Sequence, residues 1–267
     1  MATGKAQLFN PIMRLPHLYL IIPIFNEVDN IPDLIQDLNN MGKEIKGEFD
    51  CRIILVDDGS QDSSASLATK QKGELALTVL SNPRNLGPGA CFARGFVHLK
   101  DLLEPADLVV TMEGDNTSST ATLRHMLVRR KEGYEVVLAS PYAYNGGFTE
   151  VSFPRLFISH LANGLVKLYL GIRGINTFSS FFRLYDEKVL RRLYGRFGPD
   201  IIECAGFECM VELIYKLVQV KASISEVEMK VDWSKRKGKS KMKLMKTAVG
   251  YIGICLKKNK WKIHEKA

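Results

Sequence analysis

The stretch "DLVVTMEGDNTSS", Asp107–Ser119, decides how the rest of the chain is read. An apolar run ends on two carboxylates, Glu113 and Asp115, separated by Gly114; small hydroxyl and amide residues follow. A buried strand gains nothing by ending on like charges that repel, unless something positive sits with them. A hard divalent cation meets that condition, because Mg2+ or Mn2+ takes one or two protein carboxylates together with phosphate oxygens and water. Glu113 and Asp115 are therefore candidate metal ligands, and Gly114 would let a ligand approach the main chain. On this stretch alone a plainer alternative stays open: solvated charges, with Asn116–Ser119 capping the next helix.

Working outward, strand and helix signals alternate. "LYLIIPIF" (Leu18–Phe25) and "CRIILVDD" (Cys51–Asp58) are continuous apolar runs of strand length, as expected of strands covered on both faces. "LALTVL" (Leu75–Leu80), "DLVVTM" (Asp107–Met112) and "YEVVLAS" (Tyr134–Ser140) continue the series. Between the first two, Ile31, Leu34, Ile35, Leu38, Met41 and Ile45 recur at helical spacing, with Asn30 as N-cap and Pro32 in the first turn. Helices are also expected after Asp62, over Gly87–Leu99, around Leu123–Leu127, over Phe153–Leu170 with Leu168 on its apolar side, and over Phe207–Val220. Val227, Met229 and Val231 alternate with charged residues as one strand. The pattern predicts a single α/β domain with a mainly parallel central sheet flanked by helices.

Ligands of such sheets collect at the carboxyl ends of the strands. Three ends here carry polar clusters: "PIFNE", "VDDGSQDSS" and "MEGDNTS". The second could present an aspartate to a nucleobase or ribose, or could simply cap a βα turn through Asp62 or Ser63. "NPRNLGPGACFARGF" (Asn82–Phe96) resembles a phosphate-cradling loop, with Gly87 and Gly89 before a helix and Arg84 and Arg94 nearby. It has neither the P-loop nor the dinucleotide-binding spacing.

The 267 residues carry a net charge of +8. Lysines crowd the segment from Lys235 to Lys262, which suits an anionic partner. Aromatic residues are not interleaved with them as a base-stacking platform requires, so nucleic acid is not the expected partner. The longest apolar stretch near the C-terminus, Thr247–Leu256, is about half the roughly 20 residues that cross a bilayer. Leu244, Met245, Val249, Ile252 and Leu256 share one helical face, flanked by lysines and followed by Trp261, as in a helix lying on a membrane surface or docking a membrane-anchored partner. The five scattered cysteines read as free thiols.

In order along the chain, "IIPIFNEVDNIPDLI", "IILVDDGSQDSS", "NPRNLGPGACFARGF", "VVTMEGDNTS", "FISHLAN", "FFRLY" and "DWSKRKGKSKM" resemble family-2 glycosyltransferases with a GT-A fold, in particular dolichyl-phosphate mannose synthase and related polyprenyl-phosphate glycosyltransferases. The resemblance covers about Tyr19 to Met242. It implies transfer of a hexose, usually with inversion and with Mg2+ or Mn2+, from a nucleotide-diphosphate sugar to a polyprenyl (dolichyl-type) phosphate. Matched positions place Pro23, Phe25, Glu27, Val56 and Asp58 in the nucleotide pocket, and Glu113, Gly114 and Asp115 on the family's D-x-D, with Asp115 holding the metal. Arg183, Lys235 and Lys241 would meet phosphate charge on donor or acceptor.

The chain departs from that pattern at Glu113, where the family has aspartate, and at Pro141, His160 and Lys235, where the mannose synthases have arginine. Arg155 and Arg173 are the residues that could replace the missing cations, and His160 could serve a hydroxyl acceptor as base. A hydroxyl-bearing glycan or lipid acceptor and a non-catalytic binding module are the alternatives. The implied organisation is a tail (1–17), a GT-A domain (18–241) and a basic amphipathic segment (242–267), cytoplasmic and peripheral on the cytoplasmic face of a membrane.

Overall fold

The apolar run expected to open the domain forms β1 (His17–Ile24), buried along both faces apart from the half-buried Pro23. It lies at the centre of a seven-stranded sheet in a computed structural model that describes residues 14–149, 164, 167–235, 237, 250, 253, 254, 257 and 259–262. The other early strands are β2 (Asp50–Asp57), β3 (Ala76–Ser81), β4 (Leu108–Thr111) and β5 (Val136–Ser140), each within two residues of its expected start and end. Between them run α1 (Ile31–Ile45), α2 (Ser64–Gln71), α3 (Pro88–Leu99) and α4 (Thr120–Lys131). The six apolar residues that predicted α1 are its buried residues.

The second half holds elements the pattern did not announce. A short β6 (Gly147–Thr149) precedes β7 (Arg183–Asp186), which leads without a loop into α5 (Glu187–Phe197). Asp186 ends the strand and caps the helix, accepting from Lys188 N at 3.0 Å. After α6 (Cys209–Gln219), the alternation read as one strand is two: β8 (Ile224–Glu228) and β9 (Lys230–Asp232). The break falls at Met229, whose N donates to Ser140 O while its carbonyl accepts from Gly147 N. These bonds let β9 leave the main sheet and pair with β6.

The sheet order is β3-β2-β1-β4-β7-β5-β8, and β7 alone runs antiparallel to its neighbours β4 and β5. The expected mainly parallel α/β sheet is thus present, with one reversed strand near its middle. One core lies between the sheet and α1 and α4, and the other between the sheet and α3, α5 and α6. Each fully enclosed leucine, isoleucine or phenylalanine contributes about 1.5–3 kcal/mol.

Two residues of the C-terminal segment are built into the domain. Ile254 and Trp261 are each 1% exposed and belong to the second core. Trp261 Nε1 donates to Glu203 Oε1 at 2.7 Å, and the fully buried Lys216 bridges Glu203 and Glu212 beneath the indole. Of the predicted helix over Phe153–Leu170 most lies outside the described residues; Leu168, placed by periodicity on the apolar side, is 82% exposed. Among the described residues no helix is long and apolar enough to cross a membrane.

Candidate functional site

Parallel packing of β2, β1 and β4 brings their C-terminal ends to one rim, and with them the three polar clusters. The loops after β1 and β2 are zipped together. Main-chain N–H groups of Asn26, Glu27 and Val28 donate to Ser60 Oγ, Ser64 Oγ and Asp62 Oδ2 at 2.9, 2.8 and 3.2 Å. Gln61 N returns a bond to Asn26 Oδ1 at 2.8 Å. Hydroxyls and carboxylates of "VDDGSQDSS" therefore shape the loop of "PIFNE", which is why the two motifs accompany each other.

Several expected site residues are consumed in building this rim. Asp58 is 3% exposed, and its carboxylate accepts from Asn82 Nδ2, Leu86 N and Gly87 N at 2.9, 2.9 and 2.8 Å. In this position it fixes the glycine-containing loop. Val56, beside Pro23 in register, is enclosed in the core with no exposed surface. Pro23, Phe25 and Glu27 are half-buried at the rim. The loop at Gly87 and Gly89 is not a phosphate cradle: Gly89 N donates to Ala205 O at 2.7 Å, and a Cβ on Gly89 would lie 2.0 Å from Cys204 O. These amides and the glycine serve a close chain crossing, while Arg84 and Arg94 are exposed.

At the end of β4 the two carboxylates stand as expected on either side of Gly114. Glu113 Oε1 accepts from Phe181 N at 3.0 Å and Oε2 from Ser118 Oγ at 3.1 Å. Burial, and then the neighbouring Asp115 charge, push the Glu113 carboxyl up to about 7. Asp115 is 8% exposed, and its Oδ1 accepts from Thr117 Oγ1 at 2.7 Å. The hydroxyl run that reads as helix capping does that only at Ser119, whose side chain accepts from Thr122 N. Thr117 and Ser118 instead orient the two carboxylates.

Gly114 has a different task from the one expected. A Cβ there would sit 2.9 Å from Pro23 O and 3.0 Å from Ile24 Cγ2, so the glycine lets the acidic loop pack on β1. The donor set suits a divalent ion. It offers two carboxylates whose mutual repulsion and burial raise the affinity of one of them for a positive charge, on a loop locked by four hydrogen bonds. Among the described residues no third histidine, cysteine or carboxylate joins them.

The cations divide. Lys235 lies beside a cavity of about 140 Å³, lined also by Asn116, Ser118, Ser119 and Met112, and so adjoins the acidic loop. Arg183 is a correction: it is fully buried, and Nε, Nη1 and Nη2 donate to the carbonyls of Ser180, Met210 and Phe178 at 2.7, 2.9 and 2.8 Å. Its guanidinium cannot meet a phosphate from that position; it fixes the turn leading to Phe181, whose N–H holds Glu113. Arg173 is exposed and Pro141 half-buried, while Arg155, His160 and Lys241 lie outside the described residues.

The model for glycosyl transferase family 2 matches residues 19–194. The undecaprenyl-phosphate 4-deoxy-4-formamido-L-arabinose transferase of Edwardsiella ictaluri is 28% identical over 181 residues, covering 65% of this chain and 50% of that protein. The chain thus spans half the length of that relative. The polyprenol monophosphomannose synthase of Mycolicibacterium smegmatis is 26% identical over 230 residues, 84% of this chain and 80% of that one. Among solved structures, glucosyl-3-phosphoglycerate synthase of Mycobacterium tuberculosis, crystallised with Mn2+, UDP and glucosyl-3-phosphoglycerate, superposes with a TM-score of 0.62 at 15% identity, over 94% of this chain and 82% of that one. That likeness establishes the GT-A fold.

Proposed function

The chain belongs to glycosyl transferase family 2, and from that membership we propose that it moves a hexose from a nucleotide-diphosphate sugar to a polyprenyl phosphate. The observation that carries the donor half is the pair Glu113–Asp115 at the carboxyl end of β4, buried, oriented and adjoining the exposed Lys235. The acceptor half is supported by relatives named for undecaprenyl phosphate and polyprenol phosphate substrates.

Asp115 would hold Mg2+ or Mn2+, with Glu113 as the second carboxylate beside it. Bound there, the ion would neutralise charge on the departing diphosphate. Pro23, Phe25 and Glu27 flank the nucleotide at the neighbouring strand end. Lys235, joined by Lys241, offers positive charge to phosphate on donor or acceptor. An acceptor phosphate is already an anion near neutral pH, so positioning and charge stabilisation suffice and no strong general base is required. Arg183 is a structural residue in this reading, holding the turn that leads to Phe181.

We place the chain peripherally on the cytoplasmic face of a membrane, where lysines of the C-terminal segment meet anionic headgroups at about 1 kcal/mol each. The exposed Leu168 and Tyr169 support an apolar contact with lipid.

The test is incubation with radiolabelled nucleotide-sugars, polyprenyl phosphate and Mn2+ or Mg2+, followed by lipid extraction. Label in the organic phase that depends on the phosphate of the lipid supports the proposal. Label only in a water-soluble glycan or glycoside replaces the acceptor, and no transfer from any donor overturns the enzyme reading.

A further inference from the structure

Asn30 occupies the head of α1, where its sequence position suggests an N-cap, yet its side chain makes no capping hydrogen bond. It is 1% exposed. The carboxamide grips the main chain of Lys237 at both ends: Oδ1 accepts from Lys237 N at 3.0 Å, and Nδ2 donates to Lys237 O at 2.9 Å. The same Nδ2 donates to Glu27 Oε2 at 2.5 Å. Asn30 O accepts from Asn116 Nδ2 at 3.2 Å, one residue from Asp115. One buried side chain thus joins the loop after β1 to the basic segment, 207 residues from Asn30 itself, and its own carbonyl joins the acidic loop.

A carboxamide is suited to this because it carries a donor and an acceptor in one plane and can pair with both the N–H and the C=O of one residue. Aspartate would keep the acceptor, lose the donor to Lys237 O, and set a second negative charge against Glu27. Alanine would leave Lys237 main-chain groups without their partner at a cost comparable to the hydrogen bonds lost. The consequence for the site follows from spacing. Lys235 precedes the gripped residue by two positions and lines the cavity shared with Asn116 and Ser118, and Ser118 holds Glu113.

We propose that Asn30 is a positioning residue that registers the basic segment on the acidic rim, so that Lys235 stands where a diphosphate bridges the two. This rests on the reading of Glu113 and Asp115 as the donor-diphosphate site. The lysine side chain of Lys237 is not part of the device; it makes an exposed ion pair with Asp33 at 2.7 Å, of little energetic consequence.

Three variants separate the possibilities. Asn30→Asp breaks the grip from the core side. Lys237→Pro removes the N–H that Asn30 accepts and leaves the core intact. Lys237→Ala keeps the main-chain grip and removes only the ion pair. Each full-length variant is followed in two ways: trypsin cleavage after Lys235 and Lys239, and calorimetric binding of UDP and GDP with Mn2+. Asn30→Asp and Lys237→Pro should speed cleavage and weaken nucleotide binding by about tenfold, the scale of a lost hydrogen-bond pair, while Lys237→Ala matches the parent. Circular dichroism melts within a few degrees of the parent for Lys237→Pro would exclude simple unfolding as the cause. Parental cleavage and binding in both grip variants would overturn the proposal, as would Lys237→Ala behaving like Lys237→Pro. If neither nucleotide binds the parent, the premise about the acidic rim fails, a result separable from the grip because cleavage still reports on it.

Discussion

The main-chain N–H of Phe181 donates to Oε1 of Glu113 at 3.0 Å, tying the acidic loop after β4 to the segment that enters the reversed strand β7. Phe181 O in turn accepts from Thr111 Oγ1 at 2.6 Å, so both main-chain polar groups of Phe181 are fixed on β4 and its loop. The carboxylate is held in place by a segment that contributes no charge of its own to the rim.

That arrangement makes stability depend on pH in a definite sense. Burial and Asp115 raise the Glu113 carboxyl from about 4.5 to about 7. Between these values the folded chain binds more protons than the unfolded one, so this group's contribution is complete below pH 4.5 and lost as pH rises through 7. Glu113→Gln keeps an acceptor for Phe181 N and removes the charge. It should melt several degrees higher than the parent at pH 8, equal it at pH 4.5, and bind Mn2+ with nucleotide at least about tenfold more weakly. Paired thermal melts at the two pH values check this.

Arg183 should behave as a structural residue. Arg183→Lys cannot reach Ser180, Met210 and Phe178 together, and each lost charge-assisted bond is worth about 1.5–3 kcal/mol. A fall in denaturation midpoint with unchanged KM for the nucleotide-sugar in the folded fraction is expected. A selective rise in KM at parental stability would restore direct phosphate contact.

Gly114→Ala forces a Cβ to 2.9 Å from the Pro23 carbonyl. Neither main chain can yield without moving the acidic loop, so a loss of about 1–3 kcal/mol is expected, together with weaker Mn2+ binding. Denaturant titration and electron paramagnetic resonance of Mn2+ measure the two effects.

Trp261 ties the C-terminal segment to the domain. Burial pushes the Glu203 carboxyl up, but Lys260, Trp261 and Lys216 together outweigh it and hold the group down at about 2. Its stabilisation is therefore full above pH 4.5 and fades as pH falls toward 2. Trp261→Ala should cost about 3–5 kcal/mol, as for other buried tryptophans. In a Trp233→Phe background, the emission of Trp261 should shift red over that acid range. If removal of the residues after Met242 left the melting temperature unchanged, the segment would be an accessory to the fold.

The first half of the fold was readable because its strands are unbroken apolar runs and its helices repeat every three to four residues, local signals that need no partner. β7 escaped because it is four residues long and begins on a charged residue, Arg183, whose burial depends on the carbonyls of Phe178, Ser180 and the more distant Met210. The site divides in the same way. Glu113 and Asp115 announce themselves as neighbours in sequence. By contrast, Asp58 looks identical whether it faces a ribose or the amides of Leu86 and Gly87, 28 and 29 residues on. Asn30 reads as a helix cap, since nothing local reveals a partner at Lys237. Exposed glycine-loop amides and amides occupied by Ala205 have the same sequence. Where function and architecture use the same residue types, only the long-range partner distinguishes them.

The central claim is that Asp115 holds a divalent ion on a nucleotide diphosphate. Asp115→Asn preserves size and the bond from Thr117, and it changes only the charge. Mn2+ titration followed by electron paramagnetic resonance, with UDP and with GDP, tests the claim most directly. The parent should bind one Mn2+ per chain in a nucleotide-dependent manner, and Asp115→Asn should lose that signal at a melting temperature no lower than the parent's. Equal Mn2+ binding by parent and variant, or nucleotide binding indifferent to metal and to this substitution, would contradict it.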